Sequence, residues 1–205
     1  MSQVYEESII RLRQENFIKN GLYHFYNRAV DNELLFRSAA DYILFLKKLK
    51  EIIINIPVTI FAYCLMPNHF HFLLRQKSDL AANHIFNHLF SFYSQKYNWK
   101  YRRWGKLLGN KLQHKGIINE DYLIYLCQYI HCNPVKAGLC RAPEDWEFSN
   151  YKEWLGLRKG TLFSNEILLN HFSSPADYQA TIYEYEKFLG AKTFLALLID
   201  DKYRY

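Results

Sequence analysis

Alternating and helical hydrophobic patterns together predict an α+β fold, a ferredoxin-like antiparallel sheet with helices on one face. Three observations carry that expectation. Short runs mixing apolar and polar residues by turns stand at 21–30, 58–65 and 69–74, as half-buried strands require. Two longer segments, 38–54 and 79–101, space their apolar residues three and four apart, as helices do. With a short strand inside 107–118, the order becomes strand, helix, strand, strand, helix, strand, which is the ferredoxin-like arrangement.

Each element has its own warrant. Gly21 to Val30 reads as the first strand. Ser38 to Ile54 reads as a helix with Ser38 as N-cap and Asp41 three residues on, and Tyr42, Phe45, Leu46, Leu49, Ile52 and Ile53 form its apolar face. Pro57 ends it, because proline restricts the residue before it to extended backbone. Val58 to Leu65 is the second strand, and Met66-Pro67-Asn68 turns it into a third from His69 to Leu74. Ser78 or Asp79 is the expected cap of a helix running to about Tyr101, with Leu80, Ile85, Phe86, Leu89, Phe90 and Tyr93 facing the core. Leu107 to Ile118 is broken by glycine and reads as a loop plus a short strand. Asn119 caps a further helix from Glu120 to about His131, expected to stop near Asn133-Pro134. Residues 1–155 are expected to form one domain and 156–205 a helical extension, more acidic and without an evident site.

Composition narrows the function. Half of the 205 residues are hydrophobic, enough for a substantial core, and the net charge is +6. That charge suits a polyanionic partner. The run Lys96-Tyr97-Asn98-Trp99-Lys100-Tyr101-Arg102-Arg103-Trp104-Gly105-Lys106 places five cations among four aromatic rings in eleven residues. Cations suit phosphates and flat rings suit unpaired bases. The four cysteines, Cys64, Cys127, Cys132 and Cys140, form no CxxC pair, so buried thiols are expected rather than disulfides or structural zinc. The charged N-terminus (Glu6, Glu7, Arg11 and Arg13) reads as no signal peptide. The apolar stretch 52–66 is broken by Asn55 and Pro57 and is too short to cross a bilayer. A cytoplasmic protein with no membrane partner is expected.

Chemistry concentrates in two places. His69 and His71 are two apart on a strand, so they project from one face while Phe70 and Phe72 enter the core. Neutral imidazoles are common ligands of divalent metals. Two exposed strand histidines beside a turn are also ordinary, and the pair alone is a weak motif. In the later helix, Tyr129 and Asn133 are four apart and share a face. A phenol and an amide there could supply a nucleophile and a third ligand, although aromatic residues at helical spacing more often serve a core.

Taken together, these segments resemble the single-tyrosine HUH transposases, specifically the REP-associated branch of the IS200-like transposases. The residues that carry the likeness are 62–74, Ala62-Tyr63-Cys64-Leu65-Met66-Pro67-Asn68-His69-Phe70-His71-Phe72-Leu73-Leu74, and 129–139, Tyr129-Ile130-His131-Cys132-Asn133-Pro134-Val135-Lys136-Ala137-Gly138-Leu139. Weaker echoes are Tyr23-His24-Phe25-Tyr26-Asn27-Arg28 and Trp146-Glu147-Phe148-Ser149-Asn150-Tyr151. The resemblance spans roughly residues 20–155. It implies that His69, His71 and Asn133 hold Mg2+ or Mn2+, with the His motif on a central strand. It implies that Tyr129, on the following helix, attacks a single-stranded DNA phosphate. A 5′-phosphotyrosine and a free 3′-OH would result, and strand transfer would reverse the step. Hairpin-forming palindromic DNA is the implied partner, and DNA transposition and recombination the implied process. Lys96, Lys100, Tyr101, Arg102, Arg103, Trp104 and Lys106 then become candidate DNA contacts, with Arg28, Lys111 and Lys115 from other matching segments.

The chain departs from the pattern at Gly109-Asn110-Lys111-Leu112-Gln113-His114-Lys115, where Leu112 replaces an aromatic residue. His24 reads as structural or adjacent to substrate, and His131, two residues from Tyr129, as facing away from the chemistry. Two alternatives stand beside the cleaving enzyme. One is a domesticated protein that binds hairpin DNA or RNA without cutting, and the other is a hydrolase using activated water. A monomer is expected, with a homodimer as the other possibility.

Overall fold

The computed structural model describes residues 17–190, so the N-terminal charges read above and the last part of the C-terminal extension lie outside the described residues. Four strands, β1 (Leu22–Arg28), β2 (Val58–Leu65), β3 (His69–Gln76) and β4 (Gln113–Ile117), form one sheet in the order β2-β3-β1-β4. Every pairing is antiparallel, which is the expected ferredoxin-like sheet with β3 and β1 at its centre. Between the strands run α1 (Ala39–Asn55) and α2 (Asn83–Lys100). After β4 come α3 (Glu120–Lys136), α4 (Tyr151–Trp154), α5 (Glu166–His171) and α6 (Pro175–Gly190).

The alternation along β3 divides the interior in two. Phe70, Phe72 and Leu74 face α1 and α2, where they join Phe25, Phe45, Phe86, Leu89 and Tyr93 in one core. Leu73 faces the other way, against Leu123, Leu126, Cys127 and Ile130 of α3. The two helices between the strands therefore cover one face, and α3 covers the other. Residues beyond 156 also enter this second core: Ile167, Leu168, Tyr178 and Ile182 are buried in it.

A bulge in β2 serves that second core. The register slips between Ile60 and Ala62, so Phe61 and Ala62 both reach the α3 side while Ile60 and Tyr63 stay on the other. The Phe61 carbonyl accepts bonds from Asn150 Nδ2 at 2.8 Å and Trp154 Nε1 at 2.9 Å. The outer edge of β2 is covered by 148–150: Leu65 N–H donates to the Phe148 carbonyl and Asn150 N–H to the Tyr63 carbonyl.

Helix ends show where local rules held and where they did not. Ser38 caps α1 in a capping box with Asp41, and Asn119 Oδ1 accepts from Tyr122 N–H at the start of α3. The expected cap of α2 at Ser78 or Asp79 is corrected to Ala82. There Gln76 Oε1 accepts the Ala82 N–H at 2.8 Å, so a strand residue supplies the partner and Leu80 is left exposed. The expected stop at Asn133-Pro134 is corrected as well: α3 runs through Pro134 to Lys136. Proline costs this helix one N–H bond, to the carbonyl four residues back. The chain turns away past the Ala137 cap at Gly138, whose φ of 68° favours glycine, and Leu139 N–H returns to the Pro134 carbonyl.

One buried side chain ties these parts together. Asn150, fully buried, accepts from Tyr63 N–H at 2.7 Å through Oδ1. The same oxygen lies 3.1 Å from His131 Nε2. An oxygen can only accept, so His131 Nε2–H donates, and Nδ1 then accepts from the Tyr178 hydroxyl at 2.7 Å. The chain of bonds runs from β2 through α3 to α6. Asn150→Ala leaves buried groups on Tyr63 and His131 without partners and is expected to lower unfolding free energy by about 3 kcal/mol, read from urea denaturation.

Candidate active site

The two halves of the candidate site come from the sheet face and from the helix lying on it. His69 and His71 point to the α3 side of β3, opposite Phe70 and Phe72, as the period of two dictates. Their ring centroids are 5.2 Å apart at an interplanar angle of 85°. Tyr129 and Asn133 descend from α3 onto the same place. The Tyr129 ring meets His71 edge-on, with centroids 5.4 Å apart. Asn133 lies near enough to His69 to raise its pKa against the effect of burial, and Asn133 Nδ2 donates to the Tyr129 carbonyl at 3.0 Å. Four residues separated by up to 64 positions in the chain thus meet in one group.

Each imidazole is held by a partner outside this group. His69 Nδ1 lies 2.6 Å from Asn68 Oδ1; the amide oxygen accepts, which puts the proton on Nδ1 and the lone pair on Nε2. His71 Nδ1 lies 3.0 Å from His24 Nε2, leaving Nε2 of His71 as the nitrogen not engaged with His24. Metal-ligating histidines are held through their second nitrogen in this way. His24 itself is stacked between Tyr26, at 4.9 Å, and His71, at 5.2 Å.

Burial keeps all three rings neutral. It lowers His24 to about 3, with the nearby Lys115 charge adding to the effect. Burial and then the Arg28 charge lower His69 to about 4, against a raising bond from Asn133. His71 falls well below the usual value through burial, then through His24, His69, Arg28 and Lys136. Neutral imidazole is the form that binds metal.

Two imidazoles and one amide fit a divalent ion by donor chemistry. Among the described residues no group of three His, Cys, Asp or Glu side chains could hold one.

The cationic segment divides in two. Some of its members serve the fold: Arg103 Nε pairs with Glu33 at 2.7 Å and its Nη2 donates to the Lys106 carbonyl at 2.8 Å. Lys100 Nζ pairs with Asp41 at 2.7 Å, and the Tyr101 hydroxyl donates to the same carboxylate. Burial alone would raise the Asp41 carboxyl, but these bonds, with Arg37 N–H and Ser38, hold it below its ordinary value. The rest faces outward. Trp99 and Trp104 are 83% and 86% exposed, and Lys96, Arg102 and Lys106 are exposed beside them. The chain then passes the end of β1, where Val30 N–H donates to the Leu107 carbonyl and Gly109 N–H to the Arg28 carbonyl. Arg28, exposed, is the register partner of His69, so the patch leads toward the candidate site. Lys111 is exposed before β4, while Lys115 lies over the Tyr122 ring at 4.4 Å. Leu112, where the pattern has an aromatic residue, packs against the first core.

Sequence reasoning missed the roles of Asn68 and Asn150, and it placed His24 as structural or adjacent to substrate without naming His71 as its partner. Asn68 adjoins the pair and could have been found as a turn residue able to reach back. His24 needed the β1–β3 register, and Asn150 needed the whole second core.

Among known proteins, the family model described as "Transposase IS200 like" matches residues 18–133. A solved structure of the REP-associated tyrosine transposase bound to a REP hairpin has the same fold, with a TM-score of 0.60 and 18% identity. The match covers 75% of this chain and 93% of that one. No curated protein matches the sequence significantly. No helix among the described residues is long and apolar enough to cross a membrane.

The histidines set a pH dependence. His24, His69, His71 and His131 all fall below their unfolded value near 6.5. As pH drops below that value the unfolded chain takes up protons first, so native stability is full above about pH 6.5 and is lost toward pH 4. Thermal melts at pH 7.5, 6.0 and 5.0 should show a falling Tm, with a smaller fall in His24→Asn.

Proposed function

Because the chain belongs to the IS200-like transposases, we propose that it cleaves and rejoins single-stranded DNA through a covalent 5′-phosphotyrosine. The observation that carries this reading is the meeting of Tyr129 with His71 at 5.4 Å, with Asn133 bonded to the Tyr129 carbonyl beside His69. Tyr129 is the nucleophile in this reading. Its hydroxyl oxygen bonds to phosphorus, the bond from phosphorus to the 3′ oxygen breaks, the phenolic proton goes to water and the departing 3′ oxygen takes a proton from water. The attack of a new 3′-OH reverses the step and joins strands, and the bond energy stays in the phosphotyrosine throughout.

His69, His71 and Asn133 would hold Mg2+ or Mn2+. Bound there, the ion supplies Lewis-acid polarisation of the scissile phosphate. The protein's own part is to keep both imidazoles neutral and correctly turned, through Asn68 and His24, and to set the phenol against them from a rigid helix. Charge on the phosphate makes positioning by nearby cations valuable.

The partner is hairpin-forming DNA, as the REP hairpin is for the solved structure that shares this fold. Trp99 and Trp104 offer faces for unpaired bases, and Lys96, Arg102 and Lys106 offer charge for phosphates. The protein is read as a cytoplasmic monomer of the REP-associated branch.

The test is covalent capture. Single-stranded hairpin oligonucleotides from the flanks of the gene, labelled at the 3′ end, are incubated with protein and Mn2+ and run on denaturing gels. A labelled adduct is expected, lost in Tyr129→Phe and with EDTA; binding without an adduct would make the protein a hairpin binder, and cleavage that survives Tyr129→Phe would make it a water-using hydrolase. Trp104→Ala should weaken hairpin binding about tenfold, roughly one lost stacking contact, with no change in Tm.

A further inference from the structure

Lys136 lies seven residues after Tyr129 in α3, two turns along the same face. A lysine in the last turn of a helix ordinarily serves the negative end of the helix dipole. This one leans back toward the site: its Nζ is 5.1 Å from the Tyr129 ring centroid. Its charge also acts on His71. From the opposite side Arg28 is register partner to His69 and acts on both histidines. Two exposed cations, one from the sheet and one from the helix, thus flank the phenol and the two imidazoles.

The reaction makes this placement consequential. Attack on a phosphodiester gathers negative charge on the non-bridging oxygens, and rejoining releases a tyrosinate. Lys136 and Arg28 bring positive charge from the chain to that place, and donors aimed at developing charge contribute strongly to catalysis. Resting on the phosphotyrosine reading above, we propose that Lys136 is a catalytic residue of cleavage and joining, its ammonium contacting a non-bridging oxygen of the phosphate that Tyr129 attacks.

The experiment compares wild type, Lys136→Met and Lys136→Arg on the same flank-derived hairpins with Mn2+. Each is measured on an ordinary scissile phosphodiester and on a methylphosphonate, in which one non-bridging oxygen is replaced by an uncharged methyl. Lys136→Met should form the adduct about 100-fold more slowly on the phosphodiester, the scale of one lost charge-stabilising donor, while Lys136→Arg largely restores the rate. Hairpin Kd and the denaturation midpoint should stay near wild type. On the methylphosphonate the gap between wild type and Lys136→Met should close to within about twofold, since the charge that Lys136 meets is gone. An equal penalty on both linkages, or no penalty on the phosphodiester, overturns the role of Lys136 while leaving Tyr129 as nucleophile. No adduct with wild type on any flank overturns the phosphotyrosine reading itself, and the role of Lys136 with it.

Discussion

The seating of α3 on the sheet is the constraint on which the rest of the site depends. Apolar contact alone would hold the helix down without fixing where it lies, because hydrophobic burial is non-directional. Leu123, Leu126, Cys127 and Ile130 face Phe61, Ala62 and Leu73, and such a surface tolerates a slide of part of a turn. The bonds of His131 to Asn150 and Tyr178 do not. Shifting the helix would strand buried polar atoms, which costs far more than a misfitted methyl group. His131 therefore sets the height at which Tyr129 and Asn133 stand above His69 and His71, although it faces away from them.

Much of the fold was legible from periodicity. β2 matches its expected span to the residue, and β3 and α1 begin where expected, because strand alternation, a Pro-Asn turn and a serine cap are local signals. The failures have a common physical form. The start of α2 depends on Gln76 reaching six residues ahead, a partner that cap rules do not look for. Pro134 reads as a stop because proline resists helix interiors, yet one lost bond is tolerated where residues 130 to 134 are all buried, Ile130 and Cys132 of them in the second core. In the cationic run, two of the five charges, Lys100 and Arg103, are committed to partners some sixty to seventy positions away, Asp41 and Glu33. Composition could not separate those residues from the ones that face outward.

For the candidate site, residue spacing placed each half on its own face: two apart on a strand, four apart on a helix. That the two faces confront one another is a property of the sheet, which must be covered on its α3 side. The supporting partners were less legible because they come from register rather than from neighbours in sequence. His24 reaches His71 only because β1 runs antiparallel beside β3.

The bond between Tyr178 and His131 has a consequence for how this unit can be moved. The span shared with the family model ends at residue 133, yet the helix that bears Tyr129 is braced by a hydroxyl from residue 178. A graft of the shared span onto another scaffold would carry His69, His71, Tyr129 and Asn133 but leave behind both Lys136 and the footing of the helix. Any scaffold that receives the span must therefore bring a replacement brace for His131, and the choice of that brace sets where the tyrosine stands without any change among the residues that surround it.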